Sequence, residues 1–129
     1  VVGLAVIGLT ACANRSPVLQ ADDLIGCWRS VWDSDYGLQS LEYCFKGGGQ
    51  GDSVYIGGGE GVEELFEYTL TGSTLQFLYR RPDGSVSVTR EYLVERNSSN
   101  LTLTEAGEKR EFTLQCQYMN NHHGEIVCR

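Results

Sequence analysis

From residue 24 onward the chain alternates apolar and polar side chains in short runs broken by turn residues. Residues 24–32 put Trp28, Ser30 and Trp32 on one face and Cys27, Arg29 and Val31 on the other. A period of two marks a half-buried strand. Residues 41–45 repeat the pattern, with Leu41, Tyr43 and Phe45 against Glu42 and Cys44. A hairpin turning at Asp35-Tyr36 sets Arg29 opposite Glu42, Cys27 opposite Cys44 and Trp28 opposite Tyr43. One register thus pairs charges, thiols and aromatics together, and a one-residue slip would lose all three pairings.

Further strands are predicted at 53–56, 65–70, 74–79, 85–95, 101–104 and 109–119. The turn chemistry between them is explicit. Arg81-Pro82-Asp83-Gly84 combines a preset φ, a side chain that bonds its own backbone and a residue that accepts positive φ. Thr71-Gly72-Ser73, residues 97–100 and Ala106-Gly107 supply the other tight turns, and residues 120–124 read as a hairpin tip. Two glycine-rich stretches, 47–51 and 57–61, flank the 53–56 strand and read as a loop at a barrel mouth, able to act as a lid. Asp22-Asp23 before Leu24 suits a short helical turn ahead of the first strand. Strands this short and regular, with short linkers throughout, predict an all-β fold. The expected form is a small up-and-down antiparallel β-barrel of about eight strands, whose closure removes exposed edges.

The first residues break the pattern. Val1 to Ala11 carries no charge, is too short to span a bilayer, which takes about 20 apolar residues, and ends in Leu9-Thr10-Ala11-Cys12. That tetrad resembles the lipobox of bacterial lipoproteins, and the run before it resembles a signal segment truncated at its N-terminus. The resemblance implies cleavage before Cys12, a lipid on Cys12, and a place in the bacterial cell envelope. Ala13 after the cysteine implies the outer membrane if the source is diderm. The expected organisation is signal segment 1–11, lipidated cysteine and tether 12–23, barrel domain 24–129.

The formal net charge is −7. An acidic domain argues against nucleic acid, which requires a basic stripe, and against electrostatic docking on anionic lipids, so membrane attachment falls to Cys12. Four cysteines remain: Cys27, Cys44, Cys116 and Cys128. An exported domain keeps disulfides. The hairpin registers favour Cys27–Cys44 and Cys116–Cys128, with a bridge from Cys128 back to Cys27 or Cys44 as the rival pairing.

Two short segments carry a family resemblance. Leu24-Ile25-Gly26-Cys27-Trp28 resembles the Gly-x-Trp opening of lipocalin-like domains, and residues 68–75 resemble a hairpin of small bacterial lipocalin-like proteins. The resemblance implies a barrel closed at one end by Trp28, with an arginine from the last strand packed on it; the 109–119 strand offers Arg110, at its start. It also implies a small apolar or amphipathic ligand inside, lined by Trp28, Trp32, Tyr43, Phe66, Tyr68, Phe77 and Tyr92. Arg90 shares a face with Val88 and Tyr92, and if inward it would orient an acidic head-group.

Other chemistry finds little support. The glycine stretches lack the Lys-Ser/Thr ending of a phosphate loop. His122 and His123 are adjacent, so in a strand they point apart and chelate poorly. No two cysteines have metal-site spacing. No metal or other cofactor is expected, and no nucleophile–base pair assembles, so an enzyme is not expected. Glu60, Glu63 and Glu64 read as a solvated loop. The alternative reading is a protein-binding lipoprotein. It would be an inhibitor of a hydrolase such as lysozyme, or an envelope scaffold, meeting its partner through residues 47–61 or 120–124.

Overall fold

The computed structural model describes residues 18–118 and 126–128. A 3₁₀ turn at Ala21–Leu24 leads into β1 (Gly26–Ser34), β2 (Gly37–Lys46), β3 (Gln50–Gly57), β4 (Glu60–Thr71) and β5 (Thr74–Arg80). These are followed by β6 (Val86–Asn97), β7 (Asn100–Glu105), β8 (Glu108–Tyr118) and β9 (Ile126–Cys128). Each strand pairs antiparallel with the next, and β1 also pairs with β8. The first eight strands therefore close an up-and-down barrel, and β9 adds to β8. The fold class is the one the alternation predicts. The signal segment and Cys12 lie outside the described residues, as does the 120–124 tip with His122 and His123.

The first hairpin has the expected register. Cys27 opposes Cys44, Trp28 opposes Tyr43 and Arg29 opposes Glu42. Cys27 and Cys44 are disulfide-bonded, and Arg29 and Glu42 form an exposed ion pair at 3.0 Å. Cys116 and Cys128 are register partners, as expected, with Cys116 also opposite Cys27; the pairing of their side chains lies outside the described residues.

Two expectations change. The glycine-rich stretches do not form a loop at one barrel mouth: Gly47–Gly49 is a single 3₁₀ turn, Gly58-Gly59 a two-residue turn, and the strand expected at 53–56 runs between them as β3, longer at both ends. A strand crosses the barrel wall, so these two turns sit at opposite ends. Glu60, Glu63 and Glu64 belong to β4, where Glu63 opposes Val54 and Glu64 opposes Ser53. The glycines had masked the ends of β3, whose ladder bonds depend on backbone, not on side-chain type. Ahead of β1, Leu24 of the 3₁₀ turn is fully buried and Leu19 packs against the core.

Gly51 shows how tightly the core is closed. It opposes Phe45 and Phe66, and a Cβ there would lie 2.5 Å from the Phe66 ring and 2.5 Å from the Cys44 carbonyl. The missing side chain lets the Phe66 ring approach the backbone of β3 closely.

Up-and-down winding gives the barrel two distinct ends. One carries the 3₁₀ turn at Ala21–Leu24 and the β2–β3, β4–β5 and β6–β7 turns. The other carries the β1–β2, β3–β4, β5–β6 and β7–β8 turns. At this second end the wall splays. β4–β5 pairing stops at Phe66–Tyr79, β1–β8 pairing at Arg29–Thr113, and β6–β7 pairing at Leu93–Thr104, although β4, β1 and β6 run on.

Candidate functional site

The first end is sealed. The Trp28 indole is fully buried and donates a hydrogen bond from Nε1 to the Leu24 carbonyl at 2.8 Å, which anchors the 3₁₀ turn as a plug. The Arg96 guanidinium lies over the Trp28 ring, 5.1 Å from its centroid, and donates to the Asp23 carbonyl. The arginine on Trp28 therefore comes from β6, not from the last strand. Arg110 lies over Trp32 instead, at 3.9 Å.

Below the plug the barrel is filled with aromatic rings. Phe66 meets Phe77 edge-on at 4.8 Å, Phe45 meets Tyr68 at 5.0 Å, and Tyr43 stacks on Phe77 at 5.0 Å. Such pairs add about 0.5–1.5 kcal/mol each beyond the area they bury. The Tyr68 hydroxyl donates to the Lys46 carbonyl at 2.6 Å. No buried side-chain nitrogen or oxygen among the described residues lacks a hydrogen-bond partner.

The structure divides the eight residues expected to line a cavity. Trp28, Phe66, Tyr68 and Phe77 are core, packed on one another or on the plug. Tyr43 and Tyr92, which also belong to the buried core, and the half-exposed Arg90 line a recess of about 130 Å³ at the open end, together with Leu41, Leu103, Phe112, Glu105, Glu108, Lys109 and Arg110. Trp32 stands beside this recess under Arg110, its ring 6.4 Å from that of Tyr55. Arg110 had not been placed at a ligand site from sequence. Its signal was available in the alternation of β8, which puts it two residues from the inward Phe112.

The recess is a polar vestibule over an apolar floor. Arg90 is half-exposed; its Nη1 donates to the Tyr92 hydroxyl at 3.3 Å and lies 3.9 Å from Glu105. The Tyr92 hydrogen bond, and then its charge interaction, hold the Arg90 guanidinium more firmly in its charged form. The Tyr43 phenol faces those of Tyr79 and Tyr92. Burial first, then these neighbours, push its ionisation well above the usual tyrosine range. Burial likewise raises Tyr79 and Tyr68.

These phenols make an expected result at alkaline pH. A group with a raised folded-state pKa stabilises fully below its unfolded pKa, here about 10, and that stability is lost as pH rises beyond it. Urea unfolding between about pH 8 and pH 11 should show stability falling from about pH 10. Tyr43→Phe should flatten that fall; an unchanged slope would show that Tyr43 is not held as the neutral phenol.

Beyond the recess, Val62, Val86 and Val88 continue the inward-facing alternation of β4 and β6 into the splayed mouth, where each is roughly half exposed. A larger groove of about 630 Å³ runs over the wall beside β4 and β5, lined by residues including Lys46, Leu65, Glu67, Leu78 and Arg80. Of its charges, Arg80 pairs with Glu67 at 3.2 Å and Lys46 with Asp52 at 2.9 Å, and Arg81 donates to Ser85 Oγ and the Val86 carbonyl. Glu63 and Glu64 on its lining have no cationic partner among the described residues, so its uncommitted groups are acidic and do not suit an acidic head-group. Among the described residues, the cluster of metal-ligand type is Cys27, Glu42 and Cys44. The disulfide holds both sulfurs, so no thiolate is offered.

Comparison of the chain with protein-family profiles, with curated proteins and with solved structures returns no match.

Proposed function

We propose that this protein is an exported, lipid-anchored barrel that binds a small amphipathic ligand at its open end, and that it is a binding protein rather than an enzyme. The observation that carries the ligand reading is the meeting of Arg90 and Arg110 with the phenols of Tyr43 and Tyr92 in one recess of an acidic chain. Pockets for drug-sized ligands run from about 300 Å³ upward. A recess of about 130 Å³ suits a head-group, and the apolar side chains of the mouth suit the tail. Guanidinium groups recognise carboxylate or phosphate oxygens in a planar fork, so the head-group is acidic. Anchoring rests on the lipobox-like Leu9-Thr10-Ala11-Cys12, and the Cys27–Cys44 disulfide is compatible with an oxidising compartment.

The alternative is a hydrolase inhibitor or envelope scaffold that meets its partner through residues 47–61 or 120–124. The first of these segments is mostly β3, with its turns at opposite ends of the barrel, which does not favour it as one contact surface; the second lies outside the described residues.

Native mass spectrometry of residues 16–129, exported to a periplasm and purified without reductant, tests the reading. The expected result is an adduct of a few hundred daltons that dissociates on activation and is lost in Arg90→Gln/Arg110→Gln. A bare protein that also fails to bind added fatty acid would overturn the ligand reading and turn attention to an envelope partner captured through the barrel's surface.

A further inference from the structure

Cys44, Cys27, Cys116 and Cys128 occupy one row across four neighbouring strands, β2, β1, β8 and β9. Cys27 is the register partner of both Cys44 and Cys116, and Cys116 is the partner of both Cys27 and Cys128. Cys27 and Cys44 are bonded, with their Cα atoms 4.0 Å apart. Directly opposed residues in antiparallel strands lie in general about 4.5–5.5 Å apart at Cα, within the separation that disulfides bridge, so the backbone register, which shifts just beyond Cys27 in the β1–β8 pairing, sets the other neighbouring pairs of the row at bridging separation as well. Two independent hairpin staples would not need a common level on the barrel; this row brings them together across the β1–β8 seam that closes it.

We propose that the row is a thiol–disulfide relay, in which the bond held by Cys27 passes between Cys44 and Cys116. In the forward step the Cys116 thiolate attacks Sγ of Cys27. The Cys27–Cys116 bond forms, the Cys27–Cys44 bond breaks, and Cys44 leaves as a thiolate that takes a proton from water. One disulfide and one thiol stand on each side, so no external oxidant takes part. Cys27 is buried, which shields it from outside thiols and favours a neighbour in the row as its attacker. The two bonded forms differ in mechanical effect. Cys27–Cys44 staples a hairpin whose cysteines are 17 residues apart, whereas Cys27–Cys116 ties β1 to β8 and locks the barrel seam. A Cys116–Cys128 bond arrests the relay by removing the attacking thiol, and a dithiol reductant acting on that bond releases it.

The test uses the full chain carrying Cys12→Ser and Cys128→Ser, which leaves three cysteines. After incubation at about pH 7 and about pH 9, samples are acid-quenched, alkylated and mapped without reduction. Two isomers are expected, Cys27–Cys44 with Cys116 alkylated and Cys27–Cys116 with Cys44 alkylated. Their interconversion should be faster at the higher pH, because the thiolate is the nucleophile. A second variant, Cys12→Ser/Cys44→Ser/Cys128→Ser, should form Cys27–Cys116 and keep a cooperative thermal transition. Detection of Cys27–Cys44 alone at both pH values, or two free thiols in the second variant, overturns the relay. Should the first variant fail to fold, the same mapping on Cys12→Ser chain with Cys116–Cys128 selectively reduced decides between the same outcomes.

Discussion

Trp28→Ala should remove about 3–5 kcal/mol of folding stability, the range for emptying a fully buried large aromatic site. Small domains have only about 5–15 kcal/mol in total, so this one change threatens the fold. The loss has three parts. The indole is completely buried, so its removal leaves a cavity beneath the plug. Its Nε1 hydrogen bond to the Leu24 carbonyl disappears, which releases the 3₁₀ turn and exposes Leu24. The Arg96 guanidinium loses the ring beneath it and keeps only its carbonyl partners, Asp23 and Ser98. Equilibrium urea unfolding measures the change. Trp28→Phe separates the parts: it keeps most of the packing but not the donor, and should fall between wild type and Trp28→Ala. A Trp28→Ala loss below about 1 kcal/mol would mean that the sealed end contributes little to stability.

Cys12→Ser should abolish membrane attachment. The chain is acidic, with a net charge of −7, so it offers no polybasic second signal to hold it on anionic lipid. No helix among the described residues is long and apolar enough to cross a bilayer. In the proposed reading the acyl chains on Cys12 carry the whole attachment, at about 0.8 kcal/mol per buried methylene. The measurement is membrane flotation of the full chain, expressed in a diderm bacterium with a start methionine and basic residues placed before Val1. Wild type should float with the envelope, and Cys12→Ser should not; equal flotation of the two would overturn the lipid anchor. The ligand experiment is independent, because it uses a chain that begins after Cys12.

Much of the wall of this barrel was legible before the structure. Alternation over 24–45 and the turn at Asp35-Tyr36 set the first hairpin down to its residue pairs, and the observed register agrees. Its disulfide followed from that register. Strands and turns are read this well because period-two patterning and turn chemistry act over a few residues. The glycine-rich segment was misread for the complementary reason. Gly51 is a strand residue whose missing side chain makes room for the Phe66 ring, and that need arises only when β3 and β4 are packed. Likewise β4 extends back to Glu60 because β3 supplies a partner for its backbone, which nothing in Glu60, Glu63 or Glu64 announces.

The site was legible only in part. Tyr43 and Tyr92 stand on the inward faces that alternation assigns, whereas Arg90, whose inward placement was only conditional, is half exposed at the mouth. How far along the barrel axis each inward residue sits was not readable, and that position separates core from recess. Phe77 and Tyr92 share the interior, yet one is packed among rings and the other borders an opening. Local sequence thus determined the strands, their faces, the first register and the hairpin disulfide, because each depends on neighbours in the chain or directly across a turn. The sealed end, the Arg96 clamp on Trp28, the small recess and the row of four cysteines were decided by tertiary structure. Each requires the ring to close and bring distant strands to a common level.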